Sequence, residues 1–302
     1  MLPHNGSTNH HYIPQFYLKG FCRSDGTFDV YDKSIGKFKK APQTPAIVFF
    51  EPKRNTIKYR GQTTDIIEQQ FSRMEASLAE LFKLIRNGLP VKTLLSPDGV
   101  RLLKFHMALQ FWRLPRLDKF SNEFLKSRTI EQVAHMCTIT VPPLPASEVH
   151  KLLQSDEGYR KFARAFFLPL TTFDLNRPIP GHMEWKVLEA TPESGWSNHL
   201  CTDAPFIFGQ PNDLMTFSAP FIFPLTNTKL LVGGHRARDF SSLEPIISTK
   251  ISMLSFLQAN RYVVASNKDY LTKVIGLSEN YDGFTGILLL QNEVLSVLTE
   301  GV

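Results

Sequence analysis

The stretch from Ser96 to about Arg113 has helical spacing and is apolar on nearly every side. It opens with a capping serine followed by Pro97 at the first helical position, where a missing N–H costs nothing. Its apolar residues fall on all faces of the helix: Val100, Leu102, Leu103, Phe105, Met107, Leu109, Phe111 and Trp112. A helix of this kind is stable when it is buried, so we expect the other elements to pack around it.

The period of the hydrophobic pattern changes along the chain. Turn residues flank an alternating strand near the N-terminus, which predicts a hairpin. Helical spacing then dominates, and short apolar runs separated by turns follow it. We therefore expect an α+β protein. Its predicted parts are an N-terminal hairpin in 9–60, a central helical bundle in about 62–170 and a C-terminal antiparallel sheet in about 180–302, all within a single domain over 1–302.

The same patterns predict individual elements. Helices are predicted from Asp65 to the stop at Asn87–Gly88 and over 117–136, 147–168 and 248–264. Strands are predicted over 183–190, 200–208, 217–224 and 229–233, with a further strand from Tyr281 onwards and a proline-rich break at 141–145.

Composition narrows the class of protein. Of the 302 residues 42% are hydrophobic and 21% charged, which is typical of a globular chain. The 34 Lys and Arg residues exceed the 28 Asp and Glu residues, so a nucleic acid or other anionic partner is permitted but not required. The cysteines are few and widely spaced, which indicates a reducing compartment. With no signal peptide and no apolar run long enough for a bilayer, we expect a soluble, cytoplasmic protein without a membrane partner.

A polar stripe crosses the apolar helix. His106, Gln110 and Arg113 lie at i, i+4 and i+7, so they share one face, and Arg116 extends the row if the helix continues past Pro115. Burial of an unpaired guanidinium is costly, so the stripe must meet partners. It either forms a structural hydrogen-bond network or lines a cleft that holds an anion.

Two carboxylates share a face of the preceding helix. Glu68 and Glu75, with Ser72 between them, lie one step round from its apolar stripe. Three interpretations stay open: a solvated edge, ion-pair partners of Arg113 and Arg116, or ligands of a divalent cation such as Mg²⁺.

Two adjacent histidines lie near the N-terminus. His10 and His11 precede Pro14, which stiffens the segment, and aromatic rings that anchor it. Neighbouring residues of an extended segment point to opposite faces, so at most one imidazole faces a site and the other packs. An imidazole suits acid/base chemistry near neutral pH. The alternative is a histidine that pairs with buried backbone groups.

In the C-terminal half, Asp203 interrupts an apolar strand just before Pro205. It either caps a turn or contributes to a site. Asn260 and Arg261 add polar residues near the end of the last predicted helix. Cys201 is not expected to be a nucleophile, because nothing near it in sequence lowers the pKa of its thiol.

Many of these residues occur, in the same order, in a known family. The stretches concerned are His10–Leu18, Ile67–Glu68, Met74–Glu75, Gln110, Arg113–Arg116, Trp185, Thr202–Pro205, Phe223–Leu225 and Ala259–Tyr262. Over nearly its full length the chain resembles the domain of unknown function 4238 family, known for a His-x-x-Pro motif, here His11–Pro14. It departs from the family's Arg-Thr-Pro-Arg pattern at Leu114 and from its Ser-Asp-Asn-Pro pattern at Thr202 and Ala204. The resemblance implies candidate positions and no activity.

Those positions are mostly polar or charged, an inventory suited to acid/base chemistry on an anionic substrate. We expect an intracellular hydrolase, a nuclease or other phosphodiesterase, that acts on a phosphate-containing substrate such as a nucleic acid or nucleotide. Its expected catalytic residues are His10, His11, Glu75 and Asp203, its expected phosphate- or substrate-binding residues are Gln15, Gln110, Arg113, Arg116 and Asn260, and its expected ligands for a divalent metal such as Mg²⁺ are Glu68, Glu75 and Asp203.

Two alternatives use the same residues. One is a non-catalytic binding or interaction protein in which they form a buried structural network. The other is a transferase or hydrolase that acts on a nucleotide such as NAD. The sequence indicates neither the substrate nor the oligomeric state.

Overall fold

The computed structural model describes residues 8–59, 62–134, 144–190, 198–236, 245–281 and 283–299. The predicted α+β class is confirmed: small sheets come first, helices follow, and an antiparallel sheet with further helices comes last. The strands are β1 (Asn9–His11), β2 (Asp29–Asp32), β3 (Lys37–Phe38), β4 (Phe50–Pro52), β5 (Ile57–Tyr59), β6 (Gln62–Thr64), β7 (Met183–Glu189), β8 (Cys201–Thr202), β9 (Ile207–Phe208), β10 (Phe221–Pro224), β11 (Lys229–His235) and β12 (Tyr262–Ala265). The helices are α1 (Gln15–Leu18), α2 (Ile66–Arg86), α3 (Val91–Leu94), α4 (Pro97–Arg113), α5 (Asp118–Lys126), α6 (Ile130–Val133), α7 (Ala146–Ser155), α8 (Glu157–Thr172), α9 (Pro211–Thr216), α10 (Pro245–Gln258), α11 (Lys268–Ser278) and α12 (Gly283–Ser296).

The chain divides into two compact units, each built from separate segments. Unit 1 comprises Met1–Ile13, Phe50–Glu80 and Arg101–Leu175, and unit 2 comprises Pro14–Phe49, Leu81–Val100 and Asn176–Val302. The single domain expected from the sequence stays a prediction.

Unit 1 combines two strand pairs with the central helices. β1 pairs antiparallel with β4, and β5 pairs antiparallel with β6. The prediction that α4 is buried is confirmed, since Leu103, Met107, Phe111 and Trp112 are all inaccessible to solvent or nearly so. Burial of large side chains of this kind contributes about 1.5–3 kcal/mol each, which makes α4 the centre of this unit.

Two predicted helices of unit 1 are each broken into a pair. The stretch 117–136 forms α5 and α6, because Thr129 accepts a backbone hydrogen bond from Gln132 and starts a new helix. The stretch 147–168 forms α7 and α8, because the Asp156 side chain caps α8 by accepting from the Tyr159 N–H. Short side chains that accept backbone N–H groups favour such helix starts over helix interiors. The predicted break at 141–145 falls largely outside the described residues.

The predicted end of the second of these stretches was also wrong. α8 continues through Pro169 to Thr172. Proline inside a helix costs about 3 kcal/mol, and here the cost is offset by the buried run that precedes it, which includes Phe166, Phe167 and Leu168. The Thr172 hydroxyl also donates to the Leu168 carbonyl at 2.6 Å.

Unit 2 contains two antiparallel four-stranded sheets. One has the strand order β7-β11-β10-β9 and the other β3-β2-β12-β8. The predicted strand over 200–208 is therefore two short strands in different sheets, interrupted at Asp203–Pro205. The predicted strand over 217–224 begins only at Phe221, because Phe217 ends α9 in the left-handed region with φ of 53°.

The C-terminal part of unit 2 also differs from expectation. The predicted helix over 248–264 is α10 followed by β12, a strand whose buried Val263 and Val264 suit a sheet flanked on both sides. α11 was not predicted. The expected strand after Tyr281 is instead α12, whose Leu290 and Val294 lie one helical turn apart and pack into the core of this unit.

No helix within the described ranges is long and apolar enough to cross a membrane. Cys22 and Cys201 are free thiols.

Candidate functional site

The two histidines of β1 have different environments, as strand alternation predicts. The side chain of His10 is 1% exposed, and its Nδ1 accepts a hydrogen bond from the Asn55 backbone N–H at 2.9 Å. A ring nitrogen that accepts a hydrogen bond leaves the hydrogen on Nε2. Glu68 Oε1 lies 4.0 Å from the same Nδ1 and accepts from the Asn55 side-chain amide. His10 is therefore the packed member of the pair, and it lies against α2 and the turn that follows β4.

His11 is only partly buried, and its ring lies 5.6 Å from the ring of Phe50 on the paired strand. Its main-chain carbonyl accepts from Nη2 of Arg113 at 2.7 Å. The other amino group of Arg113 binds Glu75, and the guanidinium lies over the Phe71 ring at 4.1 Å. Arg113 therefore connects α4, α2 and the end of β1. Of the three interpretations left open for Glu75, the ion pair with Arg113 is present.

The other two residues of the polar stripe are Gln110 and His106. Gln110 Nε2 donates to the Tyr12 carbonyl at 3.0 Å. His106 is fully buried, and desolvation together with the charge of Arg113 lowers its pKa from 6.5 to about 3, so it is neutral near pH 7. Two buried atoms of the stripe, Arg113 Nε and Gln110 Oε1, have no hydrogen-bond partner among the described residues.

Two further predicted binding residues, Gln15 and Arg116, have exposed side chains. α4 ends at Arg113, so Arg116 does not extend the row and instead lies exposed on the short 3-10 turn Pro115–Leu117. Gln15 is the exposed first residue of α1 and belongs to unit 2.

Asp203 and Asn260 meet in unit 2. The Asp203 carboxylate accepts from the backbone N–H groups of Asn260 and Arg261 at 2.7 Å each and of Tyr262 at 3.3 Å. The side chain of Asp203 is nearly inaccessible, whereas Asn260 is exposed. The carboxylate thus binds the turn that leads into β12, which is the turn-capping alternative considered for it.

Lys33 holds the other side of this turn. Its Nζ donates to the carbonyls of Phe256, Leu257 and Ala259 at 2.8, 3.1 and 2.7 Å, at the C-terminal end of α10. Burial lowers the pKa of Lys33, and the charge of Asp203 opposes that shift. A cation at a helix C-terminus interacts favourably with the free carbonyls there.

Tyr17 joins two further motif stretches inside unit 2. Its hydroxyl donates to the Pro224 carbonyl at 2.5 Å, and its ring stacks on Phe223 with centroids 5.5 Å apart. Complete burial raises its pKa well above 10. In each unit, therefore, the sequence stretches singled out by pattern bind one another, largely through main-chain atoms.

Unit 1 also has an open pocket of about 350 Å³. Its lining residues are Glu51, Pro52, Lys53, Arg54, Asp118, Ser121, Asn122, Glu157, Arg160, Lys161 and Arg164. None of these residues was singled out from the sequence. The available signal was the spacing of Arg160, Lys161 and Arg164, which places three cations on one face of α8.

None of the expected metal ligands forms a metal-binding cluster. Among the residues with described positions, no group of three or more His, Cys, Asp and Glu side chains could hold a metal ion. Glu68 and Glu75 are engaged with Asn55 and Arg113, and Asp203 is in the other unit.

A family model described as "Protein of unknown function (DUF4238)" matches residues 9–269. Neither the curated proteins nor the solved structures include a match to this chain.

Proposed function

Because this chain belongs to the DUF4238 family, whose function is unknown, we propose from the geometry of unit 1 that it is a phosphodiesterase or nuclease. The observation that carries the proposal is the convergence of β1, α2 and α4. It brings both histidines, Glu68, Glu75 and Arg113 into two adjoining hydrogen-bonded sets. Histidine with nearby carboxylates and arginine is an inventory that suits phosphoryl chemistry.

Within this proposal His11 is the acid/base residue. It is the partly exposed member of the pair, whereas His10 is buried with its Nδ1 already accepting from Asn55. An acid/base group has to come within hydrogen-bond reach of the proton that it transfers. This favours His11 over His10 and, because Nε2 of His11 is buried, assigns the role to its Nδ1.

Arg113 takes a positioning role rather than the phosphate-binding role first expected of it. Both of its amino groups are occupied, one by Glu75 and one by the His11 carbonyl. It therefore fixes the backbone that carries His11. Arg116 is exposed on the following turn and keeps the substrate-binding role expected of it.

The test is hydrolysis of bis(p-nitrophenyl) phosphate and of single- and double-stranded nucleic acid by the purified chain. His11→Ala is expected to lose about 10²–10⁴-fold of the rate while the melting temperature stays unchanged. His150→Ala, on α7 of the same unit, serves as the matched control and should retain the rate. Undiminished cleavage by His11→Ala, or no cleavage by the unaltered chain, would overturn the proposal.

A second candidate is a non-catalytic binding protein in which this polar set is structural. The observation that favours it is the choice of partners: Arg113 and Gln110 donate to main-chain carbonyls of His11 and Tyr12. On this reading the set anchors the N-terminal segment. It predicts a large loss of stability for Arg113 variants and no cleavage activity to lose.

A further inference from the structure

We propose that the open pocket of unit 1 is a binding site for a phosphomonoester ligand. Three segments form it. The turn after β4 contributes Lys53 and Arg54, α5 contributes Asp118, and α8 contributes Arg160, Lys161 and Arg164. At about 350 Å³, its volume is at the lower end of the range for small-molecule sites.

The floor of the pocket consists of two buried guanidinium groups. The side chains of Arg54 and Arg164 are 5% and 8% exposed. Both bind the same carboxylate, that of Asp118, with Arg54 Nη2 at 2.6 Å from Oδ1. A shared carboxylate holds both cations in fixed positions, so their positive charge is already in place when an anion enters the pocket.

The two buried cations are also close enough to repel each other. Burial and the charge of Arg54 lower the pKa of Arg164, against the influence of Asp118. Glu51 adds a second carboxylate at 2.5 Å from Arg54, but it is 45% exposed and so is partly screened by water. Both amino groups of Arg54 are already occupied, by Asp118, Glu51 and the Arg113 carbonyl. The two buried guanidinium groups therefore supply fixed positive charge, and the direct contacts to an anion fall to the rim cations.

The rim of the pocket adds further positive charge. Arg160 donates to the Asn122 side-chain oxygen and to the carbonyls of Leu153 and Gln154, all of them neutral acceptors. Its charge is therefore not paired by these contacts. Lys161 pairs only at the surface, with Glu157 at 3.3 Å, where such a pair is worth little.

The turn that presents Arg54 is conformationally unusual. Lys53 has φ of 52°, a left-handed conformation that is uncommon for residues other than glycine, asparagine and aspartate. Its carbonyl accepts from the Thr56 N–H at 3.1 Å. Such conformations cost about 1–3 kcal/mol and concentrate at functional sites, and this one places Lys53 and Arg54 side by side on the pocket wall.

Charge and geometry together define the ligand. Five lining cations (Lys53, Arg54, Arg160, Lys161 and Arg164) face three carboxylates (Glu51, Asp118 and Glu157), an excess of two positive charges. A phosphomonoester carries roughly −1.5 to −2 at pH 7, which matches this excess. Guanidinium groups bind phosphate oxygens in pairs. The site therefore suits the terminal phosphate of a mononucleotide or of a nucleic-acid end.

The choice of a phosphate group rests on the pocket, and the choice of a nucleotide to carry it rests on the proposed phosphodiesterase function. The experiment is isothermal titration of the full chain with inorganic phosphate and with adenosine 5′-monophosphate, at constant ionic strength. The unaltered chain is expected to bind adenosine 5′-monophosphate. The variant Arg160→Gln/Lys161→Gln, which removes two charges from the rim, is expected to bind it at least about tenfold more weakly.

The control is Lys126→Gln/Lys151→Gln, which removes two exposed charges outside the pocket of the same unit. It should bind as tightly as the unaltered chain. The rim residues are chosen because Arg54 and Arg164 are buried and their loss threatens folding. Equal weakening by both double variants, or no binding by the unaltered chain, overturns the inference.

The two proposals can fail separately. If adenosine 5′-monophosphate binds in the pocket and no phosphodiester is cleaved, the site stands and the proposed function fails. If cleavage depends on His11 and the rim variant binds and cleaves normally, the proposed function stands and the site fails.

Discussion

Arg113→Met is expected to lower the free energy of unfolding by about 3–5 kcal/mol, as breaking a buried ion pair does. The side chain of Arg113 is 6% exposed and that of its partner Glu75 is 22% exposed. Methionine fills similar space but leaves the Glu75 carboxylate without its cation and the His11 carbonyl without its donor. Because water reaches part of Glu75, we expect the lower end of the range, about 3 kcal/mol.

Arg113→Lys separates charge from geometry. The single ammonium group keeps the positive charge but cannot bind Glu75 and the His11 carbonyl as the planar guanidinium does. The loss of one hydrogen bond to a charged group predicts a decrease of about 1.5–3 kcal/mol. The double variant Arg113→Met/Glu75→Gln should then lose less free energy of unfolding than the sum of the two single variants. The expected coupling energy is about 0.5–3 kcal/mol.

Urea denaturation followed by circular dichroism measures these differences. Arg73→Met removes an exposed arginine from α2, the helix that carries Glu75, and should change stability by no more than about 0.5 kcal/mol. If Arg113→Met costs no more than Arg73→Met, or if the double-variant cycle shows no coupling, then the network does not stabilise the protein as argued.

Burial lowers the pKa of His199, like that of His106, from 6.5 to about 3. Between pH 3 and pH 6.5 the unfolded state therefore binds more protons than the folded state. The free energy of unfolding falls as the pH drops below about 6.5. At pH 5 the loss is about 2 kcal/mol per histidine, and equal urea midpoints at pH 7.5 and 5 would contradict it. Asp203→Ala leaves three backbone N–H groups without their acceptor and should lower the free energy of unfolding by about 2–4 kcal/mol, whereas an unchanged melting curve would support a site role instead. Lys33→Met removes three hydrogen bonds from the end of α10 and should cost about 1.5–3 kcal/mol by the same measurement; Lys37→Met, on the exposed β3, is the control and should show no comparable loss.

The period of the hydrophobic pattern is sufficient to predict some helices and strands and insufficient to predict others. α2 and α4 were predicted nearly to the residue, because both have long apolar patterns with clear start and stop signals. The sequence predicts continuous helices through Thr129 and Asp156, since a single capping side chain ends a helix without changing the period of the pattern. It also predicts helix where β12 lies, because a short apolar run with two valines fits either structure until its neighbours β2 and β8 are known.

The candidate site shows the same division. Alternation along β1 was enough to predict that one of His10 and His11 is packed and the other is more open. Helical spacing was enough to predict that Gln110 and Arg113 share a face that must find partners. Neither argument identifies the residues that these side chains bind. Asn55, which binds both His10 and Glu68, belongs to no recognisable sequence pattern.

A local period of two or 3.6 residues is enough to predict the α+β class, the burial of α4 and the different environments of the two histidines. The partners of the polar groups are visible only in the tertiary structure. It assigned Arg113 to Glu75 and the His11 carbonyl, and Asp203 to the turn before β12. It also assembled Arg54, Asp118 and Arg164 into one pocket. These partners come from separate segments of the chain. Buried polar groups are generally hydrogen-bonded, and the way in which the segments pack decides which partner is within reach.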